Sequence, residues 1–589
     1  MFKPGYFIIQ RLVLPDFRSI SPLEMYTRDV GESCIFRLKD QTILLDKGSQ
    51  VTFDTYFNAL SVKVWKQHTQ IRDLTLFLSG RGRFLLRFGL HRFGNPQRWL
   101  SEQEITLGET ETHVDLEFWD KLESGLLYFS LIALEDDSVF TGGSYGTRTQ
   151  PECEAHLGVV ITHYNRREFV LPAIERLKRE LLADPLFHDR IELIVVDNSR
   201  TILPHEAEGI TLIPSRNLGG SGGFMRGLLH LEDAGRFTHC LFMDDDASCE
   251  TESIRRSYAL LSYARNPKLA IAGTLLRELE PYRLVETGGR LDKIVHPINP
   301  DLDVRDLDDL LKAESSGKSA NYGAWWFFGF KLSEVCVYAF PFFVRGDDIA
   351  FSVMNRFEIC ILNGVGCHGS DFAYKCGPTT HYLDARSRLV LQIALSPLEK
   401  GKLCKSIHRF FKEQIYSYCY ASAATISLAL EHVAKGPRFW SENIDMGNLF
   451  PQLATMGSSE KLVPLDRSKY RLKRFKGKHR RINTFLRKIT LNGFLLPSCF
   501  FKNRVLFQEK GFTGNALAIF RYSKVYYEYE PLQCGFIAVH SKKRYFKEYL
   551  LFLRRLYHFR RNFDKIQEEY RKALPELTSR HFWEKNLSA

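Results

Sequence analysis

Residues Cys240-Leu-Phe-Met-Asp244-Asp245-Asp246 form an apolar run that ends in three consecutive carboxylates. Adjacent acids repel one another, and at the mouth of a sheet they are costly unless a cation sits among them. Successive side chains of an extended segment point to opposite faces, so Asp244 and Asp246 are expected to project the same way. Two such oxygen donors suit a hard divalent ion, Mg²⁺ or Mn²⁺. The plain alternative is a solvated acidic turn after a strand.

The neighbouring sequence favours chemistry. Leu157-Gly-Val-Val-Ile-Thr162 is a β-branched run that opens into the polar loop His163-Tyr-Asn165-Arg166. A helical stretch, Val170 to Leu182, leads to a second apolar run, Ile191 to Val196, which ends in Asp197-Asn198-Ser199. Ile210-Thr-Leu-Ile213 then precedes Arg216-Asn217-Leu-Gly219-Gly-Ser-Gly-Gly223, a helix, and the acidic strand. Alternating strands and helices predict a mostly parallel, Rossmann-like α/β sheet that binds its ligand at the carboxyl ends of the strands. Thr162, Asn165, Arg166, Asp197 and the three acids all fall at such ends, where a nucleotide would lie. The glycines at 219–223 let backbone approach a ligand or pack a helix start tightly. No Gly-Lys-Ser/Thr follows them, so this is not a Walker loop.

Taken in order, ITHYNR, VDNS, RNLGGSGGFMRG and FMDDDA resemble the metal-dependent, inverting nucleotide-sugar transferases of glycosyltransferase family two, which have a GT-A fold. More narrowly they resemble the bacterial galactofuranosyltransferases that build cell-surface galactans. The resemblance continues through Val285-Glu286-Thr-Gly-Gly289, Trp325-Trp326-Phe-Phe328, Arg345-Gly-Asp347-Asp348 and His368-Gly-Ser-Asp-Phe372. It extends to the opening Phe7-Ile-Ile-Gln-Arg11, is strongest over 157–390, and fades after 400.

That resemblance implies roles. Asp244 and Asp246 would hold the metal with His368 as third ligand, although a lone histidine beside a glycine also reads as a surface-loop residue. Asp348 would be the base and Asp347 a sugar contact; as adjacent acids at a helix start they also read as a cap that compensates the helix dipole. Asp197 would accept hydrogen bonds from uracil or ribose, with Thr162, Asn165, Arg166, Asn217 and Asp245 in the same donor pocket. Trp325 and Trp326 are either core aromatics or the apolar platform for a sugar. Glu286 would bond a sugar hydroxyl. Tyr382 and Arg386 lie in a stretch that departs from the family's tyrosine-rich form, which puts contacts there in doubt.

At 589 residues, 44% of them hydrophobic, the chain has room for about three domains. Short alternating runs and turn signals over 1–150 predict an N-terminal antiparallel β-sandwich, with strands at 74–78 and 84–88 separated by a turn at Ser79–Gly82. A Gly, Ser and Thr-rich linker (141–149) leads into the GT-A domain at 151–395, and 396–589 is expected to be mainly helical. Twelve cysteines without a CxxC pair argue against a zinc cluster or a disulfide framework. No apolar run approaches the roughly 20 residues that span a bilayer, and the N-terminus does not read as a signal peptide. A cytoplasmic protein with reduced thiols is expected, peripheral on the inner face of the cytoplasmic membrane.

The net charge of +12 is concentrated towards the C-terminus, above all in a basic segment at 467–488 with Tyr470, Leu472 and Phe475 interleaved. Such a segment holds anionic lipid headgroups, binds nucleic acid, or is a solvated face. For an enzyme acting on lipid-linked glycans, the anionic membrane surface is the expected partner and nucleic acid is not. A homo-oligomer is left open.

The expected function is therefore transfer of galactofuranose from UDP-galactofuranose, with inversion and a divalent metal (Mn²⁺ or Mg²⁺), to a glycan or glycolipid acceptor. The acceptor would be a growing surface polysaccharide such as O-antigen, capsule or galactan. The alternatives are a family-two transferase with another donor, such as dTDP-rhamnose or UDP-glucose, and a non-catalytic glycan-binding relative.

Overall fold

The computed structural model describes residues 5–315, 319–395, 398–475, 481–502, 504–511 and 514–588. The N-terminal part is an antiparallel sandwich built around one strand of 17 residues, Thr75–His91. Its first half pairs with Ser138–Thr147 and Thr112–Asp115, and its second half with Leu126–Ala133 and Arg98–Leu107. The turn expected at Ser79–Gly82 is thus a bend inside one continuous strand. Gly80 (φ +158°) and Gly82 (φ +116°) make it, and a Cβ on Gly80 would lie 2.2 Å from the Val139 carbonyl oxygen. The expected linker at 141–149 is also largely strand. Small residues there let Ser138–Thr147 lie between Thr75–His91 and Phe7–Arg11.

The central domain carries a seven-stranded sheet. Its strands are β1 (Leu157–His163), β2 (Ile191–Asp197), β3 (Thr211–Pro214), β4 (His239–Asp244), β5 (Leu269–Ala272), β6 (Phe327–Lys331) and β7 (Glu358–Cys360), in spatial order β3-β2-β1-β4-β6-β5-β7. All neighbours are parallel except β6, which runs against both β4 and β5. The mostly parallel sheet is the one the sequence predicts. Thr162 stands beside Asp244 and His163 beside Asp197 in register, so the polar ends of β1, β2 and β4 share one edge.

Strand alternation divides the core. Val159, Ile161, Leu193, Val195, Leu241 and Met243 belong to a core continuous with the sandwich, which includes Leu76, Phe129 and Tyr145. Val160, Ile194, Val196, Cys240 and Phe242 face the other way, into a core shared with C-terminal residues such as Phe552 and Trp583. The helix α1 (Gly219–Ala234) covers part of this second face.

The C-terminal part is helical as expected, with Lys400–Tyr416, Tyr420–Ala434, Lys542–Arg561, Phe563–Leu577 and Arg580–Leu587. It also contains a five-stranded sheet that the sequence reading misses, Val463–Pro464, Cys534–Val539, Lys524–Tyr529, Val505–Glu509 and Leu472–Arg474 in spatial order. Two of these strands have only two and three residues, too short for a periodic signal. All twelve cysteines are free. Among the described residues no helix is long and apolar enough to cross a membrane.

Phe242 is fully buried with its ring 4.7 Å from Phe224, 5.1 Å from Trp325 and 5.2 Å from Phe330. Phe242→Ala is expected to cost about 3–5 kcal/mol of stability through the cavity it leaves. Urea denaturation followed by tryptophan fluorescence checks this, and an unmoved midpoint would show that this ring cluster does not hold the sheet.

Candidate active site

The strand-end edge collects the acids. Asp245 is buried; its Oδ2 lies 3.1 Å from His163 Nδ1, and its Oδ1 accepts from Arg166 Nη1 at 3.2 Å. Asp246 pairs with Arg166 at 2.7 Å and with Lys375 at 3.1 Å. Asp244 has no such cation against it. Burial, then the neighbouring Asp246 and Asp245, push its carboxyl up to about 8. Asp244 is half-buried, and an acid raised by like-charged neighbours is stabilised by an added cation. The Asp244 and Asp246 donors therefore fit a hard divalent ion.

The third metal position expected of His368 is not assembled. Glu286, Leu275 and Cys367 are cross-strand neighbours in a small three-stranded sheet, and His368 sits one residue on, beside Leu276. Alternation turns Cys367 towards Asp244 and Asp246, which help raise its thiol after burial, and turns His368 to the opposite face. There its Nε2 lies 3.0 Å from Ser21 Oγ and 3.3 Å from the Pro281 carbonyl, and burial lowers its pKa to about 4. Among the described residues no group of three His, Cys, Asp or Glu side chains is gathered to hold a metal.

The second acidic group opens α2 (Asp347–Asn355), after Gly346 at φ +96°. Asp347 accepts from Ser221 Oγ at 2.8 Å, and Ser221 N–H in turn donates to the Phe343 carbonyl at 3.0 Å. Both carboxyls are raised: Asp347 by burial, and Asp348 to about 7 by burial and then by Asp347. Such a dyad titrates as a unit. Glu286 is buried and pushed up to about 8, by burial and then by Asp348. The helix-start reading of Asp347 and Asp348 and their chemical reading thus hold together.

Four buried polar atoms at this edge have no hydrogen-bond partner in the protein: Thr162 Oγ1, Asn198 Oδ1, Glu286 Oε1 and Trp325 Nε1. Buried polar groups are usually satisfied, and a polar ligand at this edge would supply the partners that Thr162, Asn198 and Glu286 lack. The remaining expected donor residues are placed as follows. Asp197 is spent on its own loop, accepting from the N–H groups of Ser199, Arg200, Thr201 and Ile202 at 2.6–2.9 Å, which holds its pKa below the usual range. It shapes the pocket and has no oxygen left over for a base or ribose. Asn217 accepts from Gly219 N–H at 3.0 Å and starts α1, while Asn165 is exposed at φ +52° with its N–H on Ser199 Oγ.

The tryptophans part company. Trp325, 5% exposed, lies among Phe224, Phe242 and Phe351, so the core reading wins for its ring. Trp326 is half-buried, donates to the Gly273 carbonyl at 3.0 Å, and lies 5.9 Å from Phe372. Tyr382 is also a core residue, bonded to His432 Nδ1 at 2.8 Å. Arg386 is fully buried against the Phe342 carbonyl and the Trp440 ring.

Contacts outside the sequence expectation come from His163, Ser221 and Lys375. Ser221, the polar side chain within Gly219–Gly223, carried a readable signal. Lys375 did not, because its place depends on the C-terminal sheet. Lys510 Nζ donates to the Cys376 carbonyl at 2.8 Å and the Ala373 carbonyl at 3.2 Å, and Tyr529 donates to Asp371 at 3.4 Å, bracing the loop that presents Lys375.

Comparison with known proteins now bears on this site. Residues 158–282 match the model of glycosyl transferase family 2, and residues 9–147 match the model named galactofuranosyltransferase 2 N-terminal. The stretch that matches family 2 holds β1 to β5, Thr162, Arg166, Asp197 and the three acids. The chain is 25% identical over 389 residues to galactofuranosyltransferase GlfT2 of Mycobacterium tuberculosis, covering 59% of this chain and 58% of the relative. To GlfT2 of Mycolicibacterium smegmatis it is 26% identical over 310 residues, covering 49% and 46%. The chain thus spans about half the length of the curated relatives it matches, and its resemblance to bacterial family 2 galactofuranosyltransferases stands. Among solved structures, mannosyltransferase PcManGT from Pyrobaculum calidifontis, in complex with GDP-Man and Mn²⁺, aligns at 16% identity over 52% of this chain and 85% of that one, with a TM-score of 0.29. GalNAc-T7 with UDP, GalNAc and Mn²⁺ aligns at 12% identity over 52% and 58%, with a TM-score of 0.27.

The raised carboxyls give a stability signature. A group whose folded pKa is raised stabilises the fold below its ordinary pKa and loses that contribution as pH rises through the folded value. For Glu286 the window runs from its ordinary 4.5 to about 8. The thermal midpoint of metal-free protein should fall across that range, and Glu286→Gln should flatten the fall. An equal slope in both proteins would place the titration elsewhere.

Proposed function

We propose that the chain transfers galactofuranose from UDP-galactofuranose, with inversion at the anomeric carbon, to a hydroxyl of a glycan acceptor such as a growing surface polysaccharide. The observation that carries this reading is the pair at the helix start, buried Asp347 and half-buried Asp348, with Asp348 at about 7 and raised in turn by its neighbour while Glu286 is raised by Asp348. A carboxyl near 7 is half-ionised at working pH and suited to general-base catalysis. Asp348 takes the acceptor proton, the acceptor oxygen bonds to the anomeric carbon, and the sugar–phosphate C–O bond breaks with its electron pair leaving on UDP. Asp347, held by Ser221, and Glu286, with its unpartnered oxygen, bond the sugar hydroxyls.

Asp244 and Asp246 would hold Mn²⁺ or Mg²⁺, which when bound neutralises the departing diphosphate. Arg166 and Lys375, which already neutralise Asp246, lend further positive charge at the same edge. Thr162 and Asn198 offer polar atoms to the nucleotide. Because Trp325 belongs to the core, the apolar wall that separates a furanose from a pyranose ring is assigned to Trp326.

Asp348→Asn is nearly isosteric but cannot take a proton. It should lower kcat by about 10²-fold or more with little change in UDP-sugar affinity. Loss of UDP binding instead would make Asp348 a donor ligand. Asp246→Ala or EDTA should abolish turnover of wild-type levels, with Mn²⁺ or Mg²⁺ restoring the chelated enzyme; full turnover in excess EDTA refutes the metal.

Donor choice is tested separately. A site with buried polar anchors rejects a misfitting isomer strongly, because its anchors are left unpaired. UDP-galactofuranose should therefore be used far faster than UDP-galactopyranose, Trp326→Ala should slow it, and the product should carry the inverted anomer by NMR. Equal rates with both isomers reduce the reading to an unspecified family 2 transferase, and a retained anomer removes the single-displacement mechanism.

A further inference from the structure

Asp246 carries two cations on one oxygen. Its Oδ2 meets Arg166 Nη1 at 2.7 Å and Lys375 Nζ at 3.1 Å. The two are not held alike. Arg166 also bonds Asp245 Oδ1 at 3.2 Å, so a second acid anchors it. Lys375 pairs with Asp246 alone among the described residues, and its side chain is 36% exposed. A divalent ion on Asp246 would bring a third positive centre to one carboxylate, and like charges a few ångströms apart repel. Of the two cations, Lys375 is the one free to leave.

The backbone that carries Lys375 is nevertheless fixed. Lys375 ends the short helix Phe372–Lys375, whose capping residue Asp371 accepts from Ala373 N–H at 2.8 Å. From the C-terminal sheet, Lys510 Nζ donates to the carbonyls on either side of Lys375, Ala373 at 3.2 Å and Cys376 at 2.8 Å, and to the Gly511 carbonyl at 3.2 Å. Lys510 is 8% exposed. A buried ammonium that spends its three protons on three carbonyls is satisfied and stationary. Tyr529 donates its hydroxyl to Asp371 Oδ2 at 3.4 Å, and its ring lies 5.4 Å from that of Tyr374.

The sheet that supplies these residues also takes up part of the basic segment at 467–488. Leu472–Arg474 pairs with Val505–Glu509, and Arg467 pairs with Glu528 at 2.7 Å and Glu530 at 3.0 Å. The Glu528 carbonyl in turn accepts from Lys510 N–H at 2.7 Å. Residues 476–480, including Lys476 and Lys478, lie outside the described residues. The sheet therefore grips the backbone around Lys375 and leaves its side chain free to change partner.

We propose that Lys375 is an exchangeable counterion, which holds Asp246 while the site is empty and moves to the donor's diphosphate when a divalent ion takes that carboxylate. Lys510 and Tyr529 are the positioning residues that keep it within reach of both. This inference rests on the transferase reading in taking a nucleoside diphosphate as ligand, and it does not depend on the sugar. Three ammonium donors suit phosphate oxygens, and the diphosphate is the anion that reaches this rim with the ion. In the empty site Lys375 compensates the acids, and it helps to lower the Asp244 carboxyl that burial and Asp246 raise. After the exchange the same charge lies against the leaving group. A purely structural ion pair would stay on Asp246 in both states.

The test reads two affinities that the exchange moves in opposite directions. Lys375→Met removes the competitor for Asp246, so Mn²⁺ alone, titrated by electron paramagnetic resonance, should bind about threefold tighter or better. The same variant loses a charge-assisted bond to the diphosphate, so UDP, titrated calorimetrically with saturating Mn²⁺, should bind about tenfold more weakly. Lys510→Met and Tyr529→Phe should each weaken UDP binding, and neither should weaken it further in the Lys375→Met background, because both act through that side chain. Tyr529→Phe removes one hydroxyl and keeps the test open should circular dichroism show Lys510→Met unfolded. Mn²⁺ and UDP affinities that fall together in Lys375→Met, or that it leaves unchanged, would overturn the proposal. So would UDP affinities that the Lys510 and Tyr529 variants leave unchanged, or lower equally in both backgrounds. Wild-type protein that binds Mn²⁺ but no UDP would sink the transferase reading and this inference with it.

Discussion

The structure depends on a central sheet with no polar face. Its inner strands are apolar at both odd and even positions, as parallel strands buried on both sides must be. One set of side chains needs the N-terminal sandwich and the other needs α1 and the C-terminal helices, so the three parts of the chain share two cores rather than having one each. Buried arginines tie the joints. Arg256, fully buried, meets Glu252 at 3.2 Å and the Arg11 carbonyl at 2.8 Å on the sandwich side. Arg386 meets the Phe342 carbonyl, Met446 Sδ and the Trp440 ring on the other. Removing one partner of such a buried charge costs several kcal/mol, because the other is left unpaired.

With both faces covered, a ligand can reach the sheet only at its strand ends. This is where Thr162, the three acids and the loop after Asp197 converge, and where Glu286 and the Asp347–Asp348 pair are brought from later in the chain. The glycines at the start of α1 make that convergence close. A Cβ on Gly223 would sit 2.3 Å from Thr162 Cγ2, and one on Gly219 would sit 2.1 Å from the Phe343 carbonyl oxygen, so only glycine lets α1 lie this near to both β1 and the loop before α2.

The parts legible in the sequence are those with local signals. Apolar runs ending in polar loops gave β1, β2 and β4 and their order, and alternating runs gave the sandwich. Signals that depend on a partner were not legible. A glycine-marked turn at Ser79–Gly82 became a bend because Ser138–Thr147 was there to pair across it. Asp197 read as a ligand contact because nothing in the sequence says that four N–H groups of its own loop will use both of its oxygens. Trp325 and Trp326 are chemically alike, and only the tertiary fold sends one ring into the core and leaves the other at the edge. The same one-residue alternation puts Cys367 on the side of the aspartates and His368 on the side of Ser21.

The electrostatics of the edge follow from that geometry. Seven carboxyl groups come to one rim: Asp197, Asp244, Asp245, Asp246, Glu286, Asp347 and Asp348. Where the fold supplies donors, as for Asp197, the pKa falls; where it supplies burial and like charge, as for Asp244, Glu286 and Asp348, it rises. Two groups of acids are thus kept apart, one near Arg166 and Lys375 in which Asp244 is raised, and the other beside Ser221 and the start of α2. A cation joining the first group relieves Asp244 directly, because that carboxyl is raised by burial and then by Asp246 and Asp245, and the ion offsets all three charges at once. In the second group Ser221, the helix-start backbone and the charges of Arg345 and Arg386 offset the rise only in part, and Asp348 keeps the basicity that burial and Asp347 give it. One acidic rim can therefore offer a site for positive charge and a base for a proton, because the sheet edge and the helix start hold the two sets of carboxyls in different surroundings.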